Sequence, residues 1–128
     1  DDAYNSNPVG ASSALEILKM MNGTKVVVTP GMVELGEKEK EKNYEFGKQI
    51  STSCDYAILI GENRTKVIYD ALVENGFNKD NIFILNKVVD SYPIINALKE
   101  DKKEVYALFE NDLPDIYTEG EKKKWKSN

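Results

Sequence analysis

Apolar and polar positions along this chain alternate between two periods. Ala14, Ile17, Leu18 and Met21 recur at i, i+3, i+4 and i+7, the spacing of one buried helical face. Asn7 and Pro8 stand ahead of them as an N-cap residue and a proline at the first helical position, and Gly23 follows where a left-handed residue is wanted. The run Lys25-Val26-Val27-Val28-Thr29 breaks the helical period and predicts a central strand buried on both faces. A loop with Pro30-Gly31 leads through Glu34-Leu35-Gly36 into a charged helix over about 38–50, its buried side holding Tyr44, Gly47 and Ile50. Tyr56–Ile60 predicts a second strand, ended by Gly61. A third helix over 66–75 buries Ile68, Ala71 and Leu72 and is capped by Gly76. Ile82–Leu85 is a third strand, Ile94, Ile95 and Leu98 mark a fourth helix, and Val105–Phe109 is a fourth strand.

Strands alternating with helices predict an α/β domain: a three-layer, mostly parallel sheet with helices on both faces. In such sheets ligands gather beyond the carboxyl ends of the strands, which directs attention to residues 30–36, 61–65, 86–89 and 110–115. The opening residues 1–7 have the character of a post-strand loop with no strand before it, so the expectation is a domain over 1–119 whose first strand is truncated. Residues 120–128 lack apolar periodicity and are expected to be a disordered tail.

Composition narrows the chemistry. With 128 residues, 41% hydrophobic and 30% charged, the chain suits one ordinary globular domain. No apolar run nears the roughly 20 residues of a membrane helix, and no signal peptide opens the chain. The net charge of -5 argues against nucleic acid as a partner. The alternation Glu37-Lys38-Glu39-Lys40-Glu41-Lys42 reads as a solvated helix face, with Glu37 in a capping role. A single cysteine, Cys54, rules out an intrachain disulfide, points to a cytoplasmic setting, and reads as a buried structural thiol beside the apolar run 56–60. With no histidine, Ser-His-Asp and Cys-His catalysis and the common zinc sites are excluded. Neither GxxxxGK[ST] nor a GxGxxG after a strand is present, so any nucleotide must have its phosphates held by another domain.

The richest stretch is Asp1-Asp2-Ala3-Tyr4-Asn5-Ser6-Asn7-Pro8, a polar loop feeding a helix N-terminus. Asp2 could accept hydrogen bonds from vicinal ribose hydroxyls, and Tyr4 and Asn5 offer flat faces to a purine. A ligand-free helix cap would use the same residues. The stretch resembles the D-D-[SA]-Y-N-A-N-P signature of the Mur ligases. Gly31-Met32-Val33-Glu34-Leu35-Gly36-Glu37, one strand further on, is similar to the family's G-[DE]-M-x-E-L-G-E. The likeness is nearest to the branch that joins D-alanyl-D-alanine to a UDP-muramoyl tripeptide.

That resemblance implies a Rossmann-like C-terminal domain. It works beside an N-terminal UDP-binding domain and a central ATPase domain of the same polypeptide. ATP and magnesium, held mainly by the central domain, would serve to activate a carboxylate as an acyl phosphate for attack by an amine. It further implies that Asp2 binds the ribose and that Tyr4 and Asn5 border the adenine or phosphate side. Relatives that add a diamino acid use an Asn/Arg pair in a loop comparable to Asn63-Arg64, so these two are candidates for the carboxylate of the incoming amine substrate; an arginine at a helix start is the plain alternative. Glu34 enters as a site candidate through the second motif. Two features depart from the family pattern. Thr29-Pro30 stands before Gly31-Met32 without the usual acidic residue, and Glu110-Asn111-Asp112 replaces a basic loop after the last strand. Glu110 and Asn111 would suit an amine or cationic group better than a carboxylate. A ligase with a different amine acceptor and a free-standing flavodoxin-like binding module both stay open on these residues.

Overall fold

The computed structural model describes residues 7–111. The elements run α1 (Pro8–Lys19), β1 (Thr24–Thr29), α2 (Glu39–Ser53), β2 (Tyr56–Ile60), α3 (Lys66–Glu74), β3 (Ile82–Leu85), α4 (Ser91–Asp101) and β4 (Val105–Phe109), with short 3-10 turns before α2, β3 and α4. The strands form one sheet in the order β3-β2-β1-β4, and every pairing is parallel. Val28 lies opposite both Ile58 and Phe109 in this register. The β-branched run of β1 is therefore central, and Val26, Val27 and Val28 are fully buried.

Side chains alternate across the sheet and build two apolar layers. Val27, Ala57 and Leu59 pack with Ala11, Leu15 and Leu18 of α1, Phe46 and Ile50 of α2, and Ile68 and Leu72 of α3. Val26, Val28, Ile58 and Ile60 point the other way, onto Val88 and the partly buried Ile94, Ile95 and Leu98 of α4. The expected three-layer α/β arrangement is present, with α1, α2 and α3 on one face and α4 on the other.

Helix ends follow local chemistry. Asn7 caps α1 with its side chain, accepting from Gly10 N–H at 3.0 Å, and Pro8 is the first helical residue. After α3, Gly76 takes φ +84, and Phe77 N–H donates to Leu72 C=O at 2.9 Å, closing a Schellman turn. No side chain caps α2, so Glu37 does not play the capping role expected of it; it sits in the turn Gly36–Lys38 ahead of the helix.

Three further expectations are corrected. The buried face of α1 is Ala11, Leu15 and Leu18, whereas Ile17 is 56% and Met21 37% exposed. Both rows are apolar at helical spacing, and a helix beside the edge strand β4 covers only one of them. The second row borders a cavity of about 330 Å³ with Val105 and Leu108. Gly23 is not left-handed: it stands among none of the positive-φ residues, and a Cβ there would lie 2.8 Å from Glu104 Cβ and 2.9 Å from its carbonyl oxygen. Glycine is required at 23 for the approach of the chain entering β4. On α2, Tyr44 is only half-buried and donates its hydroxyl to Glu74 Oε1 at 2.7 Å, while Asn43 and Phe46 share the buried stripe with Gly47 and Ile50.

Two further observations complete the core. Gly47 lets α2 and α3 touch, because a Cβ there would stand 2.8 Å from both Ala71 Cβ and Ile68 C=O. Cys54 is buried at the end of α2, as the sequence implied, and burial pushes its thiol pKa up to about 12, with the nearby Asp55 charge adding to the rise. Among the described residues no helix is long and apolar enough to cross a membrane. The expected tail 120–128, and the opening residues 1–6, lie outside the described residues.

Candidate functional site at the carboxyl edge of the sheet

Three loops meet where β2, β1 and β4 end side by side. Adjacent strands lie about 4.8 Å apart, so this edge spans roughly 10 Å from β2 to β4.

After β2 the chain turns sharply. Gly61 has φ +93, a conformation that strongly favours glycine. Buried Thr65 closes the turn, its hydroxyl donating to Gly61 C=O at 2.7 Å and its N–H reaching the same oxygen at 3.1 Å. Asn63 and Arg64 ride on this turn, both exposed. The Arg64 side chain folds back over Gly61, where a Cβ would come within 2.9 Å of a guanidinium nitrogen. The arginine thus lies across the turn at the sheet edge, and alanine at 61 would displace it.

After β1, Thr29 is fully buried and its hydroxyl accepts from Gly31 N–H at 3.0 Å. Gly31 has φ +85 and lies against the Arg64 loop, a Cβ there standing 3.6 Å from Arg64 C=O. Met32 then turns its side chain into the core, where it is 3% exposed. Glu34 is exposed and held at φ +64, a left-handed conformation that costs a residue with a side chain about 1 kcal/mol or more.

After β4, Glu110 N–H continues the ladder by donating to Val28 C=O at 3.0 Å. Its half-buried carboxyl has its pKa raised by desolvation. Asn111 follows at φ +59, and its side-chain nitrogen is buried with no hydrogen-bond partner. An orphan donor of that kind costs on the order of 1–3 kcal/mol, and it stands next to the desolvated Glu110 carboxyl at the end of the last strand.

Of the residues singled out from sequence, Glu34, Arg64, Asn63, Glu110 and Asn111 therefore come from three separate loops to one edge. The proposed nucleotide contacts, Asp2, Tyr4 and Asn5, lie outside the described residues. In the described part of that region, Gly10 N–H at the start of α1 donates to the Asn7 side chain. Among the described residues no cluster of three or more His, Cys, Asp or Glu could hold a metal ion.

One residue escaped the sequence reading. Asn43 is 4% exposed, and its carboxamide grips the loop after β1 from beneath. Its oxygen accepts from Met32 N–H at 2.8 Å, and its nitrogen donates to Met32 C=O and Glu39 C=O, each at 2.9 Å. A signal existed. Asn43 precedes Phe46, Gly47 and Ile50 at helical spacing, a polar side chain at the head of an otherwise apolar stripe.

A parallel sheet covered on both faces, with polar loops collected at the carboxyl ends of its strands, defines a Rossmann-like α/β domain. The family model for "Mur ligase, glutamate ligase domain" matches residues 2–105, and the chain belongs to that family. It is 31% identical over 104 residues to the UDP-N-acetylmuramoyl-tripeptide–D-alanyl-D-alanine ligase of Buchnera aphidicola, covering 80% of this chain and 21% of that enzyme. The MurF ligase of Thermotoga maritima, solved in complex with ADP, superposes with a TM-score of 0.62 at 26% identity over 99% of this chain and 27% of its own. MurF from Acinetobacter baumannii gives a TM-score of 0.65 at 20% identity, over 98% of this chain and 27% of its own, and shares the fold. The chain thus spans about a fifth to a quarter of the length of these relatives.

Proposed function

We propose that this domain acts within an ATP-dependent carboxylate–amine ligase of cell-wall precursor synthesis, in a cytoplasmic setting. There it receives the incoming amine substrate and closes over a nucleotide held mainly by a central domain. What supports this is the placement of Arg64 in the turn after β2 and of Glu110 directly after β4, a cation and a half-buried carboxyl that follow the two strands flanking β1. A zwitterionic acceptor matches that polarity. Arg64, with Asn63 beside it, would take the carboxylate through its two-pronged guanidinium, and Glu110 would take the ammonium. An extended dipeptide reaches about 7 Å, which bridges more of the edge than a single amino acid does. That length favours the D-alanyl-D-alanine named for the Buchnera relative. The Asn111 side-chain nitrogen would find an acceptor in the bound peptide, and Glu34 would border it.

On the donor side, a carboxylate of the UDP-muramoyl peptide is activated as an acyl phosphate. The amine nitrogen forms the new C–N bond as the C–O bond to phosphate breaks, and inorganic phosphate and one proton leave. The chain's contribution is positional. Holding the amine by both charged ends removes its freedom of approach, and closure keeps water from a hydrolysable intermediate. Asp2 on the ribose and Tyr4 and Asn5 at the base would couple closure to the presence of ATP. Magnesium and the phosphates fall to the central domain, and the UDP group to an N-terminal domain.

The acidic Glu110-Asn111 end of β4, where a basic loop was expected, keeps a different amine acceptor as the second reading. Phosphate release by the complete natural gene product, given UDP-muramoyl tripeptide, ATP and magnesium, separates the two. Release that depends on D-alanyl-D-alanine and is lost on Arg64→Ala supports the dipeptide site. Release with another amine alone transfers the role to that acceptor, and no release with any amine sinks the ligase assignment.

A further inference from the structure

We propose that Asn43 is a positioning residue for the amine-acceptor edge, setting the loop after β1 against the Arg64 turn. The proposal rests on the ligase reading above.

Asn43 lies near the start of α2 and is buried beneath the loop that follows β1. Its stripe partners Phe46, Gly47 and Ile50 form the contact of α2 with the core, where an apolar side chain would pack at no polar cost. A carboxamide stands there instead, and both its ends go to one residue of the loop: Met32 N–H into its oxygen, its nitrogen onto Met32 C=O. This two-point grip fixes the orientation of the Met32 peptide units as well as their distance. The second bond from the nitrogen, to Glu39 C=O one turn back, locks the amide plane to α2 itself.

The residue before Met32 lies close against the same carboxamide. A Cβ at Gly31 would come 3.2 Å from Asn43 Oδ1 and 3.3 Å from Ile68 Cδ1, and Gly31 also abuts the Arg64 loop. Asn43 therefore sets the height of the segment that lies between the Arg64 turn and the end of β4. Two residues on, Glu34 leaves the grip at φ +64 into solvent. A pinned stem beneath a strained, exposed tip is the pattern of a loop held in shape for a ligand.

The test uses the complete gene product, with KM measured separately for D-alanyl-D-alanine and for ATP, alongside kcat and thermal unfolding. Asn43→Leu removes the grip, and Gly31→Ala strains it from the loop side. Ile50→Val perturbs the same helix face without touching the loop and serves as the stability control. The expected result is a rise of about tenfold or more in the KM for the dipeptide in both loop variants, with the KM for ATP within about twofold of wild type. The control should leave both constants unchanged. Dipeptide and ATP constants rising together, or a control of equal unfolding temperature showing the same split, would overturn the proposal. If Asn43→Leu does not fold, Gly31→Ala decides alone. A wild-type enzyme with no dipeptide-dependent phosphate release removes the ligase reading and this proposal with it. An active wild type with no split in the variants removes this proposal only.

Discussion

Replacing Gly47 with alanine sets two effects of opposite sign against each other. In the middle of a helix the substitution gains about 1 kcal/mol of intrinsic propensity. Against this, the new methyl would stand 2.8 Å from Ala71 Cβ, 2.8 Å from Ile68 C=O and 3.1 Å from Ile68 Cα on the facing helix. Carbon contacts are comfortable near 3.5–4.0 Å, so α2 and α3 would have to part by roughly 0.7–1 Å, forfeiting a quarter to a half of each dispersion contact along the seam. None of the three atoms is the far end of a flexible side chain, so rotation cannot relieve the clash. Overpacking of this kind costs about 1–3 kcal/mol and sometimes more. With the propensity gain subtracted, the expected net loss is about 1 kcal/mol. In urea, with a slope of about 1–3 kcal/mol per molar, the unfolding midpoint should fall by about 0.5 M with the slope unchanged. A midpoint equal to or above wild type would refute the claim that Gly47 exists for helix contact.

Four other outcomes follow from the same physics. Ser53→Ala removes a buried hydroxyl with no partner, and the unfolding midpoint should rise, by up to about 1 kcal/mol; a clear loss would mean that the hydroxyl is satisfied in solution. Cys54, with its pKa pushed from 9.0 to about 12, should resist a disulfide reagent at pH 8 in the native state and react fully in denaturant. Because its folded pKa lies above the unfolded one, its stabilising contribution is complete below pH 9 and is lost as pH climbs from about 9 to 12. Cys54→Ala should flatten that part of the stability profile. Glu110 also has a raised folded pKa, so its carboxylate opposes folding at neutral pH and the opposition fades as acid protonates it. Glu110→Gln should therefore unfold later than wild type at pH 7, with the difference shrinking in acid, while dipeptide-dependent phosphate release falls. A variant less stable at pH 7 and unchanged in activity would contradict both roles. Gly61→Ala should swing Arg64 off the sheet edge and raise the KM for the acceptor, read against an unchanged KM for ATP.

Much of this domain is legible in the sequence because the relevant signals are local. The β-branched run 25–29 and the apolar strand Tyr56–Ile60 announce buried strands through their own side chains. Asn7-Pro8 and Gly76 mark helix ends through backbone chemistry that acts over a few residues. Order of elements then restricts topology, because parallel strands need crossovers, and the two short motifs flanking β1 pointed to the family that the match over residues 2–105 bears out. Tertiary structure decided what depends on neighbours distant in the chain. Two apolar rows wind around α1, separated by a single residue step, and only the sheet edge selects Ala11, Leu15 and Leu18 over Ile17 and Met21. Gly23 is a close-approach glycine because Glu104 arrives beside it, a fact about residues 81 positions apart. Asn43 gave one faint mark, a polar head on an apolar stripe, and its grip on Met32 exists only once α2 lies under the loop after β1. The gathering of Arg64, Glu34 and Glu110 at one edge has the same origin. Periodicity records which face of an element is apolar, but hydrogen bonds and steric fit between elements are set by packing, and packing is where one dimension of sequence becomes three.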